Sequence, residues 1–335
     1  MTANLEGGRA AREAHEAIDR AMGQAHYTHA EAQDADCWFD VDRVASEPAT
    51  TAWKRLARWH QARWRNAQDL PIGSDPLRGG MRSKRVGSRL ELEFARSSAA
   101  NFLTPAAQAA ARARLGLREE HQTLDSDRLL ADLLDPLSLC FNLFGSLSTD
   151  PGAAQRAVSA WWPELPRGAI SLRFAHSPGR RSPAFLADDT DFDLALEIEG
   201  DGGGTIQGLS IMYHEHAEPE VAPPPAAMAR YVAVAERSDA FLPGWQSLQG
   251  SRLQAIWRRH LLALSMLQHP SRHWQAGRFV LVYPELNPSI SSAAAQYRDM
   301  LRDASTFKAI TLESLLHTQG ALDRTTRDAI QARYI

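Results

Sequence analysis

The sequence predicts an α/β or α+β protein in which a mainly helical first half precedes a sheet-forming second half. Apolar residues recur at helical spacing over Thr51–Gln68. Three short segments after residue 168 alternate as strands do, and an apolar strand over Phe279–Tyr283 follows a long helical pattern. From about Asp125 onward, the predicted order is therefore helix, three strands, helix and strand.

Further helix signals lie in the first half of the chain. The pattern predicts helices over Glu6–Gly23, over Pro105–Leu115 and over Asp125–Leu134. Thr104 is a suitable N-cap for the second of these, because proline is tolerated at the first helical position. The strongly apolar segment Leu137–Phe144 is predicted to be buried.

The strand-forming region has clear boundaries. Strands are predicted over Ala169–Phe174, Phe192–Ile198 and Thr205–Tyr213. The glycine-rich segment Gly200–Gly204 is suited to close a hairpin between the last two strands. A long amphipathic helix over Ser251–Gln268 then precedes the final predicted strand.

The composition is that of an ordinary globular protein. The 335 residues are 44% hydrophobic and 23% charged, which is enough for a sizeable core and for two domains. The first twenty residues lack an apolar segment and no run approaches 18 apolar residues, so neither a signal peptide nor a membrane span is expected. Cys37 and Cys140 lack metal-ligand spacing, so we expect buried free thiols in a cytoplasmic protein.

Charge is distributed unevenly along the chain. Residues 1–50 carry a net charge of −6 and residues 51–90 carry +8, although the whole chain carries only −3. A basic block inside an acidic protein indicates one anion-attracting surface, and DNA or RNA is one candidate partner.

The basic block begins with an amphipathic helix. On a helical wheel, Trp53, His60 and Trp64 share one side, and the cations occupy the opposite arc. The candidate nucleic-acid-binding residues of the block are Arg55, Arg58, Arg65, Arg82, Lys84 and Arg85. The alternative is that this basic face pairs with the acidic first fifty residues.

A second candidate phosphate contact lies in the loop His176–Arg181. A Pro-Gly turn there precedes Arg180 and Arg181, which are placed to contact a phosphate backbone. The alternative is that Arg180 forms an ion pair with Asp188 or Asp189.

Eight short motifs occur in a fixed order between residues 53 and 316. They are WRNAQDLPIG at Trp64, GSRL at Gly87, NFLT at Asn101, LCFNLFG at Leu139, HSPGR at His176, DTDFD at Asp189, YHE at Tyr213 and FVLVYPELN at Phe279. In these motifs the chain resembles a bacterial restriction-endonuclease family of the PD-(D/E)XK, or restriction-endonuclease-like, superfamily. The resemblance implies a mixed central sheet flanked by helices and preceded by a helical N-terminal region. We therefore divide the chain into an acidic extension (1–50), a helical basic region (51–124) and a nuclease-like domain (125–335).

The resemblance also implies four site positions, Asp193, Ser210, Met212 and Glu215. Nucleases of this kind hold a hard divalent cation such as Mg²⁺ between an aspartate on one strand and an acidic residue on the next. A lysine two positions further along lies on the same face. Asp193 matches the aspartate, but Ser210 replaces the glutamate and Met212 replaces the lysine. The site is therefore predicted to be degenerate, and no cofactor is expected.

Other residues offer alternative metal sites. Asp193 with Glu197 and Glu215 is a candidate relocated Mg²⁺ site, and His214 with His216 suits a softer metal such as zinc. On a regular strand, Glu215 would point away from the face that carries the two histidines.

Three hypotheses follow from these observations. The first is a catalytically degenerate nuclease-fold protein that binds nucleic acid, or a partner that does, in bacterial defence or DNA processing. The second is an active metal-dependent endonuclease whose acidic ligands have moved. The third is a protein-interaction scaffold that uses the acidic N-terminal extension for docking. In all three, Asp193 and Ser210 are predicted to lie on neighbouring strands that face one cleft.

Overall fold

The computed structural model describes residues 34–37, 52–75, 84–117, 119–122, 124–200 and 202–335. The predicted helix Glu6–Gly23 and the candidate residue Arg82 lie outside these ranges, as does the side chain of Lys84.

Seven strands form two sheets in the described part of the chain. The strands are β1 (Ile72–Asp75), β2 (Lys84–Leu90), β3 (Ala169–His176), β4 (Phe192–Gly200), β5 (Gly203–Ile211), β6 (Trp274–Tyr283) and β7 (Phe307–Thr311). β1 and β2 pair with each other, and the other five form one sheet in sequence order. β3, β4 and β5 are antiparallel neighbours, whereas β6 and β7 run parallel to β5. The predicted mixed central sheet is therefore confirmed.

Helices cover both faces of this sheet. They are α1 (Ala52–Ala67), α2 (Leu92–Ser98), α3 (Pro105–Gly116), α4 (Ser126–Ala131), α5 (Pro136–Phe144), α6 (Pro151–Trp161), α7 (Pro225–Ser238), α8 (Gln254–Leu267), α9 (Pro288–Arg298), α10 (Leu312–His317) and α11 (Arg324–Tyr334). Short 3₁₀ turns cover Gly145–Ser148, Trp245–Leu248 and Ala304–Thr306. Local sequence sets some helix starts: Thr104 and Asp135 each accept a backbone hydrogen bond three residues on, and proline follows each of them.

The alternation of side chains along the central strands creates two cores. Leu194, Leu196 and Ile198 of β4 pack into one core with α5 and other helices of the first half. On the opposite face, Ala195 of β4 belongs to a second core that includes residues of α7, α8 and α9. Trp53 of α1 belongs to the first core. The division of the chain at residues 50 and 124 stays a prediction.

Most predicted elements are present with small shifts in their ends. The apolar segment around residue 140 is helix α5, and its residues Ser138–Phe144 are buried as predicted. Strand β5 ends at Ile211, two residues before the predicted end at Tyr213. Cys37 and Cys140 are buried, and no disulfide joins them in the described ranges. Among the described helices, none combines the length and apolar character that crossing a membrane requires.

Candidate functional site

A cavity of about 360 Å³ lies where β4 begins and β5 ends. We call it the Asp193 cavity. Its lining includes Asp193, Met212, Glu215, His216, Arg258 and Arg259. It brings three of the four predicted catalytic positions together with two arginines of α8.

Asp193 and the fourth position, Ser210, lie opposite each other on paired strands. Leu194 pairs with Leu209 in the antiparallel register, which places Asp193 across from Ser210. The Oδ2 atom of Asp193 accepts a 2.7 Å hydrogen bond from the backbone N–H of Ile211. The prediction that these two residues lie on neighbouring strands is confirmed.

The carboxyl group of Asp193 holds its proton unusually tightly. Burial is the main cause, and it raises the pKa from 3.8 to about 7. The positive charge of Arg259 and the Ile211 hydrogen bond both act to lower this pKa, whereas the charges of Asp191 and Asp135 raise it further. Asp193 therefore changes charge near neutral pH.

The two replaced positions are enclosed by protein. Ser210 is only 1% exposed, and its Oγ has no hydrogen-bond partner among the described residues. Met212 is 8% exposed and belongs to the apolar core beneath α8. In the ranges that the structure describes, no three His, Cys, Asp or Glu side chains form a metal-binding group. Ser210 and Met212 therefore do not fit the two-carboxylate Mg²⁺ site that the resemblance implies.

Glu215 lines the same cavity as Asp193, which strand alternation does not predict. Because β5 ends at Ile211, the alternation does not continue through the following residues, and both Glu215 and His216 line the Asp193 cavity. The expectation that Glu215 points away is therefore wrong. The Glu215 carboxylate accepts a 3.1 Å hydrogen bond from the backbone N–H of His214. Asn287 fixes the same loop by donating to the Glu215 carbonyl oxygen at 3.0 Å.

Glu197 is placed away from this cavity. It lies four residues after Asp193 on β4, about 13 Å along the strand. Its side chain is nearly buried, and its carboxylate lies 3.5 Å from the guanidinium of Arg173. The structure thus brings Glu215, but not Glu197, to Asp193.

The basic block is less exposed than the helical wheel predicts. Arg65 is 3% exposed, and its guanidinium donates to the carbonyl oxygens of Gly87 and Leu70, each at 2.9 Å. It also pairs with Asp36 at 3.2 Å, so the prediction that Arg65 presents its charge to solvent is wrong. Arg55 and Arg58 are half-buried, and Arg85 is exposed.

The two arginines of the 176–181 loop form ion pairs within the protein. Arg180 is buried between Glu119 and Asp191, with a 2.9 Å contact to the latter. Arg181 pairs with Asp189 at 2.8 Å. The expectation that Arg180 pairs with Asp188 or Asp189 is wrong in its partners, because Arg181 takes Asp189.

Sequence reasoning missed the arginines of α8. Ala255, Ile256 and Arg259 of α8 line the Asp193 cavity, and their spacing of three and four residues is that of one helix face. Arg252, just before the helix, lines it too. The amphipathic pattern over Ser251–Gln268 predicted this helix but assigned no role to Arg258 or Arg259. Asp135, which caps α5, was also missed; its buried carboxylate pairs with Arg128 at 3.0 Å.

Comparisons with known proteins support the motif-based resemblance. A family model described as the PD-(D/E)XK nuclease superfamily matches residues 48–335. No curated protein and no solved structure matches the chain. The matched range takes in α1, the whole central sheet and the Asp193 cavity.

Proposed function

Because the chain belongs to the PD-(D/E)XK nuclease superfamily, we propose that it is a catalytically degenerate member that binds nucleic acid at the Asp193 cavity. The observation that carries this proposal is the burial of Ser210 and Met212, which are 1% and 8% exposed at the positions of the missing glutamate and lysine. A buried hydroxyl and a thioether in an apolar core supply neither a cation ligand nor a positive charge.

Asp193, the acidic residue that remains at the family site, is poorly suited to holding Mg²⁺ for nucleic-acid cleavage. One oxygen of Asp193 already accepts from Ile211, and its pKa near 7 leaves the carboxyl group partly protonated at neutral pH. Mg²⁺ keeps most of its waters and needs charged oxygen ligands. Losing a positioned electrostatic donor such as the lysine costs about 10²–10³ in rate. These losses together support a binding role in place of cleavage.

Nucleic acid is the proposed ligand because the superfamily fold presents a cleft of this kind to a phosphate backbone. Arg258 and Arg259 line the cavity and supply positive charge at its wall. The setting that we propose, bacterial defence or DNA processing, follows from the motif resemblance. The cytoplasmic location that we propose follows from the two cysteines without metal-ligand spacing.

A second candidate function is an active metal-dependent endonuclease with moved ligands. It is favoured by one observation, the presence of Glu215 in the same cavity as Asp193. Two carboxylates and water would then have to hold the cation without the lysine.

A cleavage assay separates these proposals. The purified protein is incubated with Mg²⁺ or Mn²⁺ and with plasmid, linear duplex, single-stranded DNA or RNA, beside Asp193→Ala and Glu215→Gln. We expect no cleavage by any of the three proteins. Cleavage by the wild type that both substitutions abolish would overturn the proposal in favour of the second candidate.

Binding is measured on the same substrates by fluorescence anisotropy as salt is varied. We expect affinity that falls steeply with salt, as contacts to phosphates require. A protein that neither cleaves nor binds any of these nucleic acids would instead support a protein-interaction scaffold.

A further inference from the structure

Arg258 and Arg259 stand at the junction of two cavities. Both line the Asp193 cavity, and both also line a neighbouring cavity of about 520 Å³. We call the second one the Tyr231 cavity, since its lining includes Tyr231, Thr190 and Pro223. The two arginines therefore border both cavities, which together we call the groove.

These arginines lack the close acidic partners that other arginines of the cleft region have. Arg181 and Arg180 lie 2.8 and 2.9 Å from aspartate oxygens. In contrast, the Arg258 guanidinium is 3.9 Å from Glu220, and Arg259 donates to the Ala255 carbonyl oxygen of its own helix at 3.3 Å. The Nε atoms of both are buried and have no hydrogen-bond partner among the described residues.

The aspartates that line the Tyr231 cavity already have hydrogen-bond or ion-pair partners within the protein. Asp188 accepts hydrogen bonds from the hydroxyls of Thr190 and Tyr231. Asp189 and Asp191 form the ion pairs with Arg181 and Arg180 described above. Ion pairs thus balance two of these three carboxylates. In the described part of the chain, Arg258 and Arg259 act on Glu220 and Asp193 without a contact as close as those pairs.

A segment that we call the strap, residues 217–224, forms the other wall of the groove. Glu218 is held by Lys54 at 3.2 Å, and Glu220 accepts a 3.3 Å hydrogen bond from Gln254. Gln254 also donates to the Val221 carbonyl oxygen at 2.9 Å, although the Val221 side chain is 94% exposed. The strap thereby holds one carboxylate, that of Glu220, next to Arg258.

We propose that Arg258 and Arg259 form a phosphodiester-binding site, and that Glu220 competes with the phosphate for Arg258. This inference rests on the proposed nucleic-acid binding and names its contact residues. A guanidinium fork binds two phosphate oxygens with charge-assisted hydrogen bonds, which an Arg–carboxylate contact of 3.9 Å does not supply. Adjacent arginines at the junction contact one phosphate, or successive phosphates of a strand that follows the groove.

The test compares three proteins with the wild type. Arg258→Gln/Arg259→Gln removes the site, and Glu220→Gln removes the competing carboxylate. The control Arg298→Gln/Arg324→Gln removes the same charge from exposed residues of α9 and α11. Binding of a fluorescein-labelled 12-nucleotide single strand and of the matching duplex is measured by anisotropy across a salt series. Thermal unfolding of each variant verifies that it is folded.

We expect the site variant to bind about 10- to 100-fold more weakly than the control variant at low salt. The slope of log affinity against log salt should fall by about 0.7–0.9 for each lost phosphate contact. Glu220→Gln should bind about 2- to 5-fold more tightly than the wild type. Equal affinity and equal slope in the site and control variants would overturn this inference while leaving the proposed function standing.

Inorganic pyrophosphate supplies a readout that does not need nucleic acid. Its binding is followed by isothermal titration calorimetry on the wild type and the site variant. Pyrophosphate binding that the site substitutions abolish, in a protein with no affinity for nucleic acid, would support the anion site and overturn the proposed function. No binding of either ligand by the wild type would overturn both.

Discussion

The Asp193 carboxylate and the Ile211 backbone N–H are joined by a 2.7 Å hydrogen bond across two antiparallel strands. One oxygen of the expected metal ligand is thus engaged by the main chain of the strand that should carry its partner glutamate. The hydrogen bond stabilises the charged form, but burial outweighs it, and the pKa of Asp193 stays near 7.

This raised pKa gives the first prediction. A carboxyl group whose pKa rises from 3.8 to about 7 on folding destabilises the protein progressively as pH increases through that range. Asp193→Asn keeps an acceptor oxygen for Ile211 and removes the charge. It should therefore raise the melting temperature at pH 8 and leave it unchanged near pH 4. The exposed Glu199→Gln on the same strand is the control, and an equal response of both variants to pH would contradict the prediction.

The second prediction concerns Arg65. Arg65→Gln leaves the carbonyl oxygens of Gly87 and Leu70 without their buried donor and removes the pair with Asp36. We expect a loss of about 2–4 kcal/mol in the free energy of unfolding, measured by urea denaturation. Arg63→Gln, an exposed change on the same helix, should cost less than about 1 kcal/mol. If Arg65→Gln proved as stable as this control, the buried role of Arg65 would be wrong.

The third prediction concerns Arg333 of α11, which is fully buried. It donates to Gln61 Oε1 at 3.1 Å and to the Asn101 carbonyl oxygen at 2.6 Å, and it stacks over the Trp64 ring. Arg333→Ala should cost about 3–5 kcal/mol because it removes one member of a buried polar network. Arg327→Ala on the same helix is the control, since the Arg327 guanidinium pairs with exposed Asp328. Similar denaturation midpoints for the two variants would contradict this assignment.

The fourth prediction restores the family residues. Ser210→Glu with Met212→Lys places two ionisable groups at sites that are 1% and 8% exposed, so we expect a lower melting temperature without metal. Adding Mg²⁺ should raise the melting temperature of this variant and leave that of the wild type unchanged, because a bound ligand stabilises the folded state. A wild-type protein that Mg²⁺ stabilises, in a manner lost in Asp193→Ala, would show that the present residues do hold the cation.

The sequence was sufficient to predict the sheet because local alternation and glycine-rich turns encode strands β3 to β5. It also predicted that Asp193 and Ser210 lie on neighbouring strands, since a tight hairpin fixes their register. Arg65 was misplaced because its partners are distant in sequence: Asp36 is 29 residues away and Gly87 is 22. Glu215 was misplaced because a strand end cannot be located to within two residues from its pattern.

Arg258 and Arg259 show a second reason why part of the candidate site could not be predicted from the sequence. Helical periodicity predicted the amphipathic helix α8, but not that a cavity faces the side that carries Arg259. Cavities arise from the packing of separate elements, here the ends of β4 and β5 and the strap against α8. Local sequence patterns do not predict such tertiary arrangements.

The buried contacts of Arg333 with Gln61 and Asn101 also affect how the chain folds during its synthesis. Gln61 and Asn101 precede Arg333 by 272 and 232 residues, so they are synthesised long before their buried partner exists. Until that part of the chain emerges from the ribosome, the early helices cannot complete their core. Contacts of such sequence separation also slow folding. We therefore expect nascent chains that stop before residue 333 to depend on chaperones and to be sensitive to proteases.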